Sequence, residues 1–248
     1  MGWLRHARVP ANLRFRSLYL VTSATVLPEP TGSAPPARPK LRGSLHAWSF
    51  YFSLFAGAAL VVLAAATVSG IAALATSVYT VTVLALFGVS ALYHRRTWVS
   101  ARARVWMKRL DHSMIFLFIA GTYTPFSLLA MDRPDGFIVL GVVWGGALCG
   151  IALKLLWPHS PRWLGVPIYI ALGWVAVFVL PQLLRHGGVA ALVLLLVGGV
   201  FYTLGALCYS TRWPNPWPAV FGYHEFFHAA TVLAASAHYI AIWLAMYG

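Results

Sequence analysis

The sequence predicts an all-α integral membrane protein, a seven-transmembrane helix bundle with its amino terminus cytoplasmic and its carboxyl terminus extracytoplasmic. Three observations predict it. Hydrophobic residues make up 60% of the chain, charged residues 9%, and mean hydropathy is +0.75, outside the range of water-soluble globular chains. From Trp48 to Tyr247 the chain divides into apolar stretches of about twenty residues, each long enough to cross a roughly 30 Å hydrocarbon layer. With those stretches taken as crossings, all but Arg133 and Arg185 of the 18 Lys and Arg residues fall on one side, the side that basic residues mark as cytoplasmic.

Residues 1–39 read as a basic, disordered extension: Arg-rich, then apolar from Leu18 to Leu27, then rich in Pro, Ser and Ala. That order imitates a signal peptide, but cleavage would put the amino end outside and reverse the charge pattern. The transmembrane domain, 40–248, has spans at about 48–69, 71–94, 111–131, 137–156, 164–184, 189–209 and 222–247. The first two are a single apolar run divided by a turn near Ser69 and Gly70. Asp132-Arg133-Pro134-Asp135-Gly136 separates spans three and four, and a Pro-containing loop from Trp157 to Trp163 leads into span five. Arg185-His186-Gly187-Gly188 precedes span six, and a stiff linker from Ser210 to Phe221 precedes span seven. Pro125, Pro167 and Pro181 lie within spans, where neighbouring helices can satisfy the freed backbone groups. Cys149 and Cys208 differ in depth by roughly 10 Å, too far for a disulfide, and read as buried packing residues.

A net charge of +13 would suit nucleic acid, but its distribution is the one topology requires. The expected partners are a membrane lipid substrate and anionic inner-leaflet lipid, and no nucleic acid is expected.

His224-Glu225-Phe226-Phe227-His228 reads H-E-x-x-H at the start of span seven. Two imidazoles four apart share a helix face and can grip one ion, with Glu225 as the base in a metalloprotease reading. Topology adds partners from other spans. Span two runs inward and ends at His94, span three begins with Asp111, and span seven begins with His224 and His228, so all four residues meet at one cytoplasmic-side level. Three imidazoles and an open fourth position form the donor set of a catalytic Zn2+, leaving Asp111 to hold a water and take its proton. Ser90, one turn before His94, faces the same way and is placed to orient a ligand or polarise a carbonyl.

Each residue has a plainer reading by itself. Ser90 can bond its own backbone, His94 can meet headgroups, and Asp111 can complement a helix dipole. Together they favour a metal site, because ionisable groups inside a membrane are costly to keep without a function. Past His228 the sole remaining ionisable side chain apart from tyrosines is His238, roughly 15 Å deeper, so no downstream ligand completes a protease site. Glu225 is kept as a secondary acid or base, and His238 has no assigned role. His112 points about 100° away from Asp111, and His6, His46, His159 and His186 fall in solvated tails or loops.

Ser90-x3-His94, Arg109-Leu110-Asp111-His112, Thr122-Tyr123-Thr124-Pro125 and Phe221-Gly222-Tyr223-His224-Glu225-x-x-His228 resemble the signatures of the hemolysin III family. That family belongs with the adiponectin and progestin receptor superfamily and, more distantly, with the alkaline ceramidases. Lys40-Leu41-Arg42-Gly43 with His46 is similar to the family's segment ahead of the first span, and the resemblance runs from about residue 38 to the end. It implies a seven-helix bundle with a cytoplasmic-side zinc held by His94, His224 and His228. It also implies an aspartate contacting the metal through water at Asp111, and a serine at Ser90. Superfamily members act on lipid amides, notably ceramide, and the bacterial branch is named for cytolysis and linked to membrane lipid homeostasis. The expectation is a cell-membrane zinc hydrolase of a lipid amide or ester. The alternative is a non-enzymatic pore-forming cytolysin or receptor-like protein with a structural zinc, and an intramembrane metalloprotease ranks third.

Overall fold

The computed structural model describes residues 38–157 and 160–248, and in order their helices are α1 Ser44–Thr67, α2 Gly70–Arg95, α3 Ala101–Leu129, α4 Arg133–Leu156, α5 Arg162–Gly173, α6 Leu180–Thr211 and α7 Tyr223–Tyr247. A 3₁₀ segment, Trp174–Val179, joins α5 to α6, and no strand occurs among the described residues. All of the basic extension but Arg38 and Pro39, the signal-peptide-like order within it, His6 and His159 lie outside the described residues.

Local chemistry sets the helix starts. Ser69 and Ser100 accept hydrogen bonds from the backbone N–H groups of Ala72 and Ala103, satisfying donors the helix leaves open. Gly43 precedes α1 with φ 77°, a left-handed conformation that favours glycine, and a Cβ there would collide with Cβ of His94. The start of α1 is thereby seated on the end of α2. Pro134 and Asp135 open α4, where a fixed φ and a negative charge both suit a helix amino terminus.

Large apolar side chains are exposed along the outer faces, with Trp48, Phe52 and Phe55 at 76%, 72% and 78%. Such a surface is stable in hydrocarbon and not in water. Inside, Leu60, Phe116, Val143 and Ile242 are wholly buried. Small residues bring the helices close: a Cβ on Gly121 of α3 would overlap Thr82 of α2, and one on Gly150 of α4 would overlap the ring of Phe116. Gly121→Leu should therefore push α2 from α3 and lower stability by about 1–3 kcal/mol. A thermal midpoint in detergent equal to wild type would mean that the contact is slack.

Among the described residues six segments are long and apolar enough to cross a membrane: α1 to α4, the run Leu164–Thr211, and α7. The sequence predicts two spans, five and six, where the structure has one 48-residue apolar run. Its irregularity lies at Trp174–Val179, because the Tyr123 hydroxyl enters there, donating to the Gly173 carbonyl (2.7 Å) and accepting from Ala176 N–H (2.8 Å). The expected loop at Arg185–Gly188 is helical up to Gly188, whose φ of 74° kinks α6. Gln182 bonds Asp135 and the backbone N–H of Asp132, so the middle of the run meets the α3–α4 turn. Its beginning lies by the end of α4, where Lys154 bonds Ser160, and Tyr209 near its end packs against His224.

The start of α3 and the burial of the cysteines also differ from expectation. Helix α3 starts ten residues ahead of the expected boundary because its first turns are capped and basic rather than apolar. Cys149 and Cys208 are both free, as expected, but neither is buried: Cys149 is exposed on α4 and Cys208 is half-buried on α6.

Candidate metal centre

The last turn of α2, the third turn of α3 and the first two turns of α7 converge. Ligand-capable nitrogens of His94, His224 and His228 all lie within 4.8 Å of one another. Nε2 of His94 and Nε2 of His224 are 3.2 Å apart, a hydrogen bond between the two rings when one carries the proton. Two nitrogens each 2.0–2.1 Å from one tetrahedral ion stand roughly 3.3 Å apart, so this pair already has the spacing a shared zinc requires. Oδ2 of Asp111 is 3.8 Å from Nε2 of His94, which puts the carboxylate directly beside the cluster. Ser90 is 3% exposed, and its side chain interacts with the carboxyl of Asp111. The structure thus brings together five of the six residues singled out in the sequence.

Glu225, the sixth, is elsewhere. It is 1% exposed, and its two oxygens are engaged, Oε1 by Nε of Arg42 at 2.5 Å and Oε2 by the Gly222 N–H at 2.9 Å. The first bond ties the segment before α1 to α7, and the second caps α7. Arg42→Met would leave a buried carboxylate uncompensated, at a cost of about 3–5 kcal/mol. Thermal unfolding should show a large drop for that variant and substantial recovery in Arg42→Met/Glu225→Gln; a single variant as stable as wild type would count against the pair.

The sequence puts His46 in a solvated segment and turns His112 away from Asp111, yet both reach the cluster. His46 sits in the first turn of α1 at 2% exposure and stacks on His228, centroids 3.8 Å apart and planes 12° from parallel. The signal for it was Gly43 and the short distance from Lys40 to the first span. His112 Nδ1 is 2.7 Å from the Lys108 carbonyl oxygen and 3.6 Å from Oδ2 of Asp111, and Nε2 is 3.4 Å from the Tyr209 hydroxyl. His238 lies deep, bonded through Nε2 to the Leu195 carbonyl and packed over Gly198.

A predominantly apolar cavity of about 150 Å³ runs from His224 and His228 inward past Phe118 and Phe126 to Leu183 and His238. The cluster stands at its mouth.

A bundle of membrane-capable helices with three imidazoles and a carboxylate converging at one end defines a class: polytopic membrane proteins with an internal histidine cluster that could hold a metal ion. The chain belongs to the family described as Haemolysin-III related, whose pattern matches residues 36–239. It is a multi-pass protein of the cell membrane. It is 28% identical over 166 residues to a hemolysin-3 homolog of Bacillus subtilis (strain 168), covering 67% of this chain and 74% of that protein. It is 33% identical over 136 residues to hemolysin-3 of Bacillus cereus, covering 55% of this chain and 61% of that protein. Over 180 residues it is 30% identical to the heptahelical transmembrane protein ADIPOR2 of Oryza sativa subsp. japonica, covering 66% of this chain and 79% of that protein.

Proposed function

We propose that the protein is a zinc-dependent membrane hydrolase that cleaves the acyl amide or ester bond of a membrane lipid. The observation that carries this reading is the placement of His94, His224, His228 and Asp111 at the mouth of an apolar cavity within a membrane bundle. Zinc held by the three imidazoles would supply Lewis acidity toward a carbonyl and bring the pKa of a water toward about 7. The cavity takes the acyl chain and keeps water from it, leaving the carbonyl at the histidines. Asp111 takes the proton of the attacking water and returns it to the amine or alcohol that leaves as the C–N or C–O bond breaks. The Ser90 hydroxyl fixes the Asp111 carboxylate, and His46, stacked on His228, fixes that ring. Glu225 has a structural role, in keeping with its two engaged oxygens.

The chain crosses the membrane seven times in this reading. The run Leu164–Thr211 starts beside Lys154, reaches the α3–α4 turn at Gln182, and returns to α7 at Tyr209, which supports two crossings separated near Gly188. The rice relative's description as heptahelical is consistent with that. The histidine end, where basic residues gather, faces the cytoplasm and its anionic lipid, with the amino terminus on the same side.

Liposomes carrying ceramide and an entrapped dye test the reading against a pore. Fatty acid release that stops on zinc chelation, without dye loss, is expected. Dye leakage with no release would replace the hydrolase by a cytolysin.

A further inference from the structure

On the outer side of the histidines lies a second cavity, of about 790 Å³. Its wall includes Arg38, Arg104, Lys108, Arg109, Lys154 and Arg212, contributed by the segment before α1, by α3, by α4 and by the α6–α7 connection. Arg42 also lines it but is committed to Glu225. Among the described residues none of the other six is in ion-pair contact with a carboxylate, and the described carboxylates Asp132 and Asp135 are occupied by Arg185, His186 and Gln182. Basic residues set by topology alone belong on exposed helix ends, yet Lys154 is 7% exposed, its ammonium bonded to the Ser160 hydroxyl. The Nε of Arg109 is buried without a hydrogen-bond partner, its guanidinium lying 4.6 Å over the Trp106 ring with no described carboxylate beside it. A buried ammonium and a buried guanidinium nitrogen that lack a counter-charge are costly unless an anion completes them.

This vestibule and the apolar cavity share His112, Val166, Tyr169, Tyr209 and His224 as walls. The molecule therefore offers an apolar slot, then the histidine cluster, then a cationic chamber. An acyl chain, a carbonyl and a phosphate-bearing headgroup follow one another in the same order along a phospholipid.

From this we propose that the vestibule is a subsite for the phosphate group of a phosphate-bearing membrane lipid. As an account of substrate choice it rests on the hydrolase reading above. The lipid's hydrocarbon occupies the apolar slot, its acyl carbonyl lies at the histidines, and its phosphate is bound by Lys154, Arg109 and the exposed cations around them. Hydrolysis would then release a fatty acid by breaking the acyl C–O or C–N bond, with water supplying the OH and the proton, and leave the phosphate on the lyso product.

The test uses the full-length, zinc-loaded protein in neutral detergent, with phosphatidic acid and diacylglycerol of identical acyl chains, and with their non-hydrolysable diether analogues for binding. The diether phosphatidic acid should bind about tenfold tighter than the diether glycerol. Lys154→Gln and the exposed Lys108→Gln should each shrink that preference severalfold, and added salt should weaken it. Lys108→Gln keeps the test decisive if the buried variant misfolds, with thermal melting as the control. Equal binding of the two diethers, or a preference that neither variant moves, overturns the proposal. Displacement of the lipid by inorganic phosphate at equal concentration also overturns it, by marking a site for soluble phosphate. Preferred binding without fatty acid release from any lipid upholds the subsite and removes hydrolysis. Equal release from both ester lipids leaves hydrolysis standing and removes the phosphate preference.

Discussion

Asp111→Asn is expected to retain zinc and to lower lipid hydrolysis by about 10²- to 10⁴-fold, the range one general acid or base contributes. The substitution keeps the size of the side chain and an oxygen that can still accept from Ser90. It does not touch His94, His224 or His228, whose nitrogens form the cluster without it. What it removes is the capacity to take a proton at a position 3.8 Å from Nε2 of His94. Turnover per bound zinc, measured on wild type and variant together, is the relevant quantity. Wild-type turnover in the variant would take Asp111 out of the reaction.

The second large effect belongs to His228→Ala, for which zinc content and turnover should both fall to background while the helices persist. His228 is 3% exposed and gives one of three donors, so two imidazoles would remain where an ion needs at least three protein ligands to stay. Helix α7 is also held elsewhere, through the buried Ala234, Ala241 and Ile242 and through the Glu225–Arg42 pair. Circular dichroism should therefore report a helical protein without metal. If zinc were structural, the same variant would unfold, because binding and folding would then be one event.

Hydropathy and charge made the convergence of His94, Asp111, His224 and His228 legible, because in a membrane bundle the depth of a residue limits which others it can meet. His46 escaped that reasoning because α1 begins at Ser44, four residues before the apolar stretch does, so a residue in its first turn looks like loop. The placement of Glu225 was hidden for another reason: its partner Arg42 is 183 residues away, and no local pattern announces such a pair. The irregular Trp174–Val179 segment depends on a hydroxyl from Tyr123, again a tertiary contact acting on a stretch that reads as uninterrupted helix. The fold class needed only composition and period, while the site's supporting residues needed the packed structure.

Whether the three histidines hold a catalytic zinc is decided by zinc content and lipid hydrolysis measured on the same samples. Wild-type protein would be stripped with chelator and reloaded in steps. Turnover should rise in proportion to zinc bound, saturate at one ion per chain, and stay at background in His228→Ala at every step. Hydrolysis by zinc-free protein, or full zinc occupancy with no turnover of any lipid amide or ester, would contradict a catalytic zinc there.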